Sequence, residues 1–88
     1  MAPSGQPHRS ENVDLAFGRV LRSLREARGL SQEHLGHESE TGRTFISELE
    51  RGYKGASLKT LLRLAQHLGV TGAEMVRLVE KELAGGQH

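Results

Sequence analysis

Apolar residues recur at three- and four-residue steps along most of this chain, and the pattern breaks where glycine stands. Leu15, Phe17, Val20, Leu21, Leu24 and Ala27 form one stripe with Arg19, Arg22 and Arg25 interleaved, which predicts a first helix. Asn12 or Asp14 is placed to cap it, and Gly29 supplies the left-handed residue that ends it. Leu30 then turns into the core. Ser31 caps a short second helix that runs to about Ser39, with Leu35 as its apolar anchor. Gly36 inside that helix costs about 1 kcal/mol of helix propensity relative to Ala, so close packing against another helix is expected there.

Glu40-Thr41-Gly42 leads into a third helix. Phe45, Ile46 and Leu49 share one face of it, while Arg43, Thr44, Ser47, Glu48 and Arg51 lie largely off that face. Gly52 stops the helix, and Tyr53-Lys54-Gly55-Ala56 reads as a loop. Ser57 caps a fourth helix with Leu58, Leu61, Leu62, Leu64, Ala65 and Leu68 as a broad apolar face, closed by Gly69. Thr71 caps a fifth, whose apolar positions are Met75, Val76, Leu78, Val79 and Leu83. No window shows strand-like alternation bounded by turn residues. The expected fold is therefore all-α: a compact domain of five helices over residues 12–84. It stands between a flexible arm over residues 1–11, rich in Pro, Ser, Gly and Gln, and a frayed tail over residues 85–88.

Composition narrows the function classes. Eighty-eight residues make one domain. A core of this size buries only about 60% of the surface of the unfolded chain, so a second copy would add stability. No apolar run approaches the roughly 20 residues needed to span a bilayer, and the N-terminus lacks a signal-peptide core, so neither a membrane nor export is expected. With no cysteine there is no disulfide framework, zinc knuckle or thiol nucleophile, and a cytoplasmic location is expected. No Ser-His-Asp set, phosphate-cradling glycine loop or paired acid site emerges, so no enzyme, cofactor or small-molecule ligand is expected. His34 and His37 stand three apart beside Glu33 and Glu38, but a metal site needs further ligands at matched geometry, and the pair reads as solvated. His67 has no evident partner.

Net charge is only +1, and its distribution matters more. From Asn12 to Leu30, four Arg face Asp14 and Glu26, a net of +2; from Ser31 to Gly55, Arg43, Arg51 and Lys54 face five Glu, a net of −2. Over that second stretch, two short helices are joined by a tight turn, and the second carries a polar outer face. This is a helix-turn-helix pattern. The DNA major groove accepts one helix and displays a distinct donor and acceptor pattern for each base pair, while the preceding helix braces against the backbone.

Several strings in this chain fall in a shared order and spacing: Phe17-Gly18-x-x-Leu21-Arg22; Arg25-x-x-x-Gly29-Leu30-Ser31-Gln32-Glu33-x-Leu35; Arg43-Thr44-Phe45-Ile46-Ser47-x-Leu49-Glu50-Arg51-Gly52; Ser57-Leu58-x-Thr60-Leu61; and Leu64-Ala65-x-x-Leu68-Gly69-Val70. On these the chain resembles the Cro and phage-repressor (Xre-like) helix-turn-helix proteins from about Phe17 to Val79. The resemblance implies a phosphate contact for Gln32 and base-reading positions at Arg43, Thr44 and Glu48. It implies backbone contacts for Ser47, Arg51, Tyr53 and Lys54, and a structural ion pair between Arg25 and Glu50. The chain departs from the family pattern at the turn, with Glu40 where glycine is usual, Thr41 where Val or Leu is usual, and Gly42 where Ser or Thr is usual.

Alternatives stand beside these roles. Arg43 fits a two-pronged contact to guanine, a phosphate contact or a solvated side chain. Glu48 fits acceptance from a cytosine amino group, an intrahelical partnership with Arg51 or Thr44, or a negative element that rejects wrong sites. Arg19, Arg22, Lys54 and a dimer partner are expected to supply a positive footprint that offsets the acidic residues. Met75, Val76, Val79 and Leu83 serve either the core or a two-fold interface, which would set two recognition helices about 34–36 Å apart on a palindrome. The expected function is a sequence-specific transcriptional regulator that binds double-stranded operator DNA as a homodimer. Its rival is a protein-interaction module of the same fold, a coactivator-like bridge or antitoxin partner, which the net −2 over the motif favours.

Overall fold

A computed structural model describes residues 10–85. Five helices follow in order: α1 (Ser10–Ala27), α2 (Gln32–Glu38), α3 (Arg43–Glu50), α4 (Leu58–His67) and α5 (Gly72–Gly85). The described residues contain no strand. Most of the flexible arm expected over residues 1–11, and the tail beyond Gly85, fall outside the described residues. Where the two can be compared, the first and last helices are longer than expected. The first begins at Ser10, so Asn12 and Asp14 lie inside it and neither caps it; the last runs through Gly85.

Serine and threonine start three of the helices as expected. Ser31 Oγ accepts from the His34 amide at 2.9 Å, Ser57 Oγ from Thr60 at 3.1 Å and Thr71 Oγ1 from Glu74 at 3.0 Å. Four helices end alike, with a left-handed residue followed by an amide that reaches back five residues. Leu30 donates to the Arg25 carbonyl, Thr41 to Gly36, Tyr53 to Glu48 and Val70 to Ala65, all at 3.0–3.1 Å. The left-handed residue is glycine in three of these and Glu40, at φ 62°, in the fourth.

The core is built from Leu21, Leu35, Ile46, Leu49, Leu64 and Met75, all fully buried, with Ala16, Phe17, Val20, Ala65, Leu68 and Val79 around them. Helix α3 is held from two sides by close backbone approaches. A Cβ on Gly18 of α1 would collide with the Leu49 carbonyl and lie 2.7 Å from that of Glu50. A Cβ on Gly36 of α2 would fall 2.7 Å from the Arg43 nitrogen, so the close packing expected at Gly36 is against the start of α3.

The apolar stripes are wider than the surface the fold covers. Leu15 is 42% exposed, Leu58 69% and Leu62 50%, while Ala27 also faces outward. Ala16, outside the expected stripe, is buried instead. Met75 and Val79 are committed to the core of this chain; of the four candidate interface residues, Val76 is exposed and Leu83 half-buried.

Candidate nucleic-acid interface

Helix α3 presents a polar ridge because its apolar residues are drawn inward. Ile46 and Leu49 are buried and Phe45 is half-buried. Arg43, Thr44, Ser47, Glu48, Arg51 and Tyr53 are left lining one open concavity. Six of the eight residues expected to meet DNA therefore lie together. Among the described residues neither Arg43 nor Arg51 is in an ion pair, and the Arg51 guanidinium stacks over the Tyr53 ring at 5.6 Å. No acidic residue occupies the first turn of α3 and Gly42 offers no side-chain cap, so the positive end of the helix dipole and Arg43 act at the same place.

Lys54 sits at the edge of this surface. Its Nζ is 3.0 Å from Glu48 Oε1 and 5.5 Å from the centre of the Phe45 ring. Glu48 thus pairs with a residue of the following loop, and not with Arg51 or Thr44. The loop makes this possible, because Gly52 at φ 76° and the Tyr53-to-Glu48 bond turn the chain back over α3.

Gln32 is brought elsewhere. Its Nε2 donates to Glu50 Oε1 at 3.0 Å, where the Arg25 guanidinium also arrives: Arg25 Nε lies 2.6 Å from Glu50 Oε2 and Arg25 Nη2 lies 3.0 Å from Glu50 Oε1. The third Arg25 nitrogen donates to the Leu30 carbonyl at 2.7 Å. The Glu50 side chain is 4% exposed and that of Arg25 is 10% exposed. The hydrogen bonds with Glu50 raise the Arg25 pKa above its ordinary value, against the opposing effect of burial. The ion pair implied by the family resemblance is present, and it ties α1 to the end of α3 while Gln32 joins α2 to both.

The turn between α2 and α3 absorbs its departures from the family pattern. Ser39, fully buried, donates its hydroxyl to the Leu35 carbonyl at 2.8 Å and shares a hydrogen bond of 2.9 Å with the Thr41 hydroxyl. A hydrogen-bonded pair of hydroxyls therefore occupies the turn where the family resemblance leads to Val or Leu at position 41. Arg63 of α4 reaches the Ser39 carbonyl at 3.4 Å and stands 4.0 Å from Glu40.

The expected positive footprint is redistributed. Arg19 pairs with Glu82 at 3.4 Å and Arg22 with Glu26 at 3.1 Å, so these two cations of α1 are engaged within the chain, as is Lys54. Arg43 and Arg51 carry the positive charge of the ridge. His34 and His37 are exposed and line a neighbouring hollow with Ser31, Glu33, Gly42 and Arg43. Among the described residues no three His, Cys, Asp or Glu side chains are grouped to hold a metal ion.

This architecture matches a known domain. The helix-turn-helix domain family matches residues 16–78. The chain belongs to the Xre-like helix-turn-helix family. That family is one of DNA-binding transcription regulators and not a class of enzymes. Control protein C.BamHI of Bacillus amyloliquefaciens is 34% identical to this helix-turn-helix chain over 68 residues, which cover 76% of the chain and 84% of the relative. The clp gene regulator ClgR from Corynebacterium glutamicum superposes with a TM-score of 0.82 at 28% identity, covering 94% of this chain and 84% of that one. The restriction-modification controller protein C.Esp1396I, solved as a tetramer in complex with its natural 35 base-pair operator, superposes with a TM-score of 0.74 at 26% identity. That match covers 82% of this chain and 95% of the controller.

Proposed function

We propose that this helix-turn-helix protein is a sequence-specific transcriptional regulator that binds a palindromic operator as a homodimer in the bacterial cytoplasm. The observation that carries the reading is the α3 ridge, where Arg43, Thr44, Ser47, Glu48, Arg51 and Tyr53 share one open concavity around a helix slim enough for the major groove. Arg43, at the positive end of α3, meets guanine; Thr44 and Glu48 read the next base edges; Ser47, Arg51, Tyr53 and Lys54 lie along the backbone. Gln32 uses one amide hydrogen on Glu50 and keeps the other for a phosphate. The operator complex of C.Esp1396I supports the same use of this fold.

A second copy fits the edge of α4 and α5. Leu58 and Leu62 are exposed one turn apart on α4. Leu62 lies against Gly72, which stands one turn before the exposed Val76 on α5. With half-buried Leu83, these residues extend the interface expected from α5. Pairing there covers apolar surface that a chain of this size leaves open.

The competing reading is a protein-interaction module. Its support is the engagement of Arg19, Arg22 and Lys54 by carboxylates. Salt separates the two. A regulator that neutralises phosphates releases counterions, so its affinity for a random-sequence duplex falls steeply between 50 and 200 mM salt, by a factor on the order of 10³ for six contacts. Weak binding that ignores salt would favour the interaction module.

A further inference from the structure

We propose that DNA opens the Glu48–Lys54 ion pair, and that this opening makes the reading of one cytosine and the capture of one phosphate a single event. The inference rests on the reading of the chain as a DNA-binding regulator and assigns Lys54 a part in specificity.

Glu48 is the one carboxylate in a concavity otherwise lined by Arg43, Thr44, Ser47, Arg51 and Tyr53. Unpaired, it would repel phosphates on every duplex. Lys54 neutralises it at 3.0 Å, and the Phe45 ring 5.5 Å from the ammonium keeps Lys54 on the helix side of the loop. Lys54 is exposed at 47% and Glu48 partly exposed at 36%, so the pair lies within reach of solvent and opens at little cost. While it is closed, the carboxylate is occupied and the ammonium is withheld from the backbone.

The base edge decides whether it opens. Cytosine offers an N4 amino donor in the major groove, which can replace the ammonium on Glu48. Thymine offers only the O4 acceptor and a methyl group, and guanine offers two acceptors, which repel the carboxylate and leave it on Lys54. Adenine does offer an amino donor at N6, but in a T·A pair it belongs to the opposite strand, across the groove from the thymine edge that Glu48 then faces. Opposite cytosine the freed ammonium moves to the nearest phosphate. Opposite thymine both contacts are lost together. The structure thus converts a liability, an acidic side chain on the reading helix, into a condition for backbone contact.

The test uses the full chain and a duplex that it enriches from a random pool, with each C·G pair replaced in turn by T·A. At the Glu48 position, the wild-type chain should bind the T·A duplex roughly ten- to a hundredfold more weakly. The slope of log affinity against log salt should also be shallower there by about 0.9, the value of one phosphate. Glu48→Gln should erase both differences. Lys54→Gln should lower the slope by about 0.9 on the C·G duplex; on the T·A duplex, where Lys54 holds no phosphate, it should weaken binding through the unpaired Glu48 and leave the slope unchanged. Unchanged thermal unfolding shows that these exposed variants fold. An equal effect of Lys54→Gln on the slope for both duplexes, or for neither, overturns the coupling while leaving DNA binding intact. Enrichment of no duplex at all overturns the DNA-binding reading and this inference with it.

Discussion

Glu50 Oε1 accepts from Gln32 Nε2 at 3.0 Å while both Glu50 oxygens receive the Arg25 guanidinium, so one carboxylate fastens α1, α2 and α3 together. Glu50 closes the recognition helix and Gln32 opens the bracing helix. Their contact fixes the angle between α2 and α3, the two helices proposed to meet DNA. A buried pair of this kind holds geometry more than it adds stability, but removing one member leaves a charge without a partner.

Glu50→Ala should therefore destabilise the fold by about 3 kcal/mol, and Arg25→Ala by a similar amount. The double variant should lose less than the sum, because neither charge is then left alone. Urea unfolding of the four chains measures this; additive losses would mean that the pair is not coupled.

Glu40 occupies a left-handed position at φ 62° that glycine takes at the three equivalent helix ends. Its partner Arg63 is 4.0 Å away and both side chains are exposed, which offers little in return. Glu40→Gly should stabilise the fold by up to about 1 kcal/mol, read as a rise in melting temperature. A fall would show that the contact with Arg63 outweighs the backbone strain.

Arg77 donates to Glu74 on the first turns of α5, with distances of 3.1 and 2.7 Å. That hydrogen bonding, with the attraction of the two charges, holds the Glu74 carboxyl below its ordinary value, against a smaller effect of burial. A pKa depressed by folding gives stabilisation that is present at neutral pH and is lost as the pH falls through the folded value. Arg77→Met should move the Glu74 titration upward, toward an ordinary carboxylate, as followed by NMR of the side-chain carboxyl. No movement would remove Arg77 as the cause.

Leu62 and Val76 test the proposed two-fold pairing. Leu62→Glu combined with Val76→Glu should give a monomer by sedimentation with helix content retained, since both residues are exposed in the single chain. Loss of the second half-site should weaken operator binding on the order of 100-fold. A double variant that keeps the wild-type mass would place the interface elsewhere.

Much of this architecture was legible in the sequence, and the reason is local. Ser31, Ser57 and Thr71 cap helices through bonds that span three residues, and Gly29, Gly52 and Gly69 end them through bonds that span five. The assembly of Arg43, Thr44, Ser47, Glu48 and Arg51 on one ridge follows from helical spacing. The partnership of Lys54 with Glu48 does not, because it depends on a loop that doubles back after Gly52. Periodicity also cannot say how far a neighbouring helix reaches. Leu15, Leu58 and Leu62 sit at apolar spacing yet lie beyond the covered strip, while Ala16 lies inside it. The resemblance implies a phosphate contact for Gln32 but not its bond to Glu50, a tertiary contact across 18 residues with no sequence signal of its own.

The most direct test of the account is a fluorescence-anisotropy titration of the chain and its Arg43→Ala variant against the DNA just upstream of its own gene, at two salt concentrations. The account predicts tight, salt-sensitive binding by the wild-type chain and a loss of about 1–3 kcal/mol of preference for this DNA over unrelated duplex in the variant. Equal, salt-insensitive behaviour of both chains on both duplexes would contradict it.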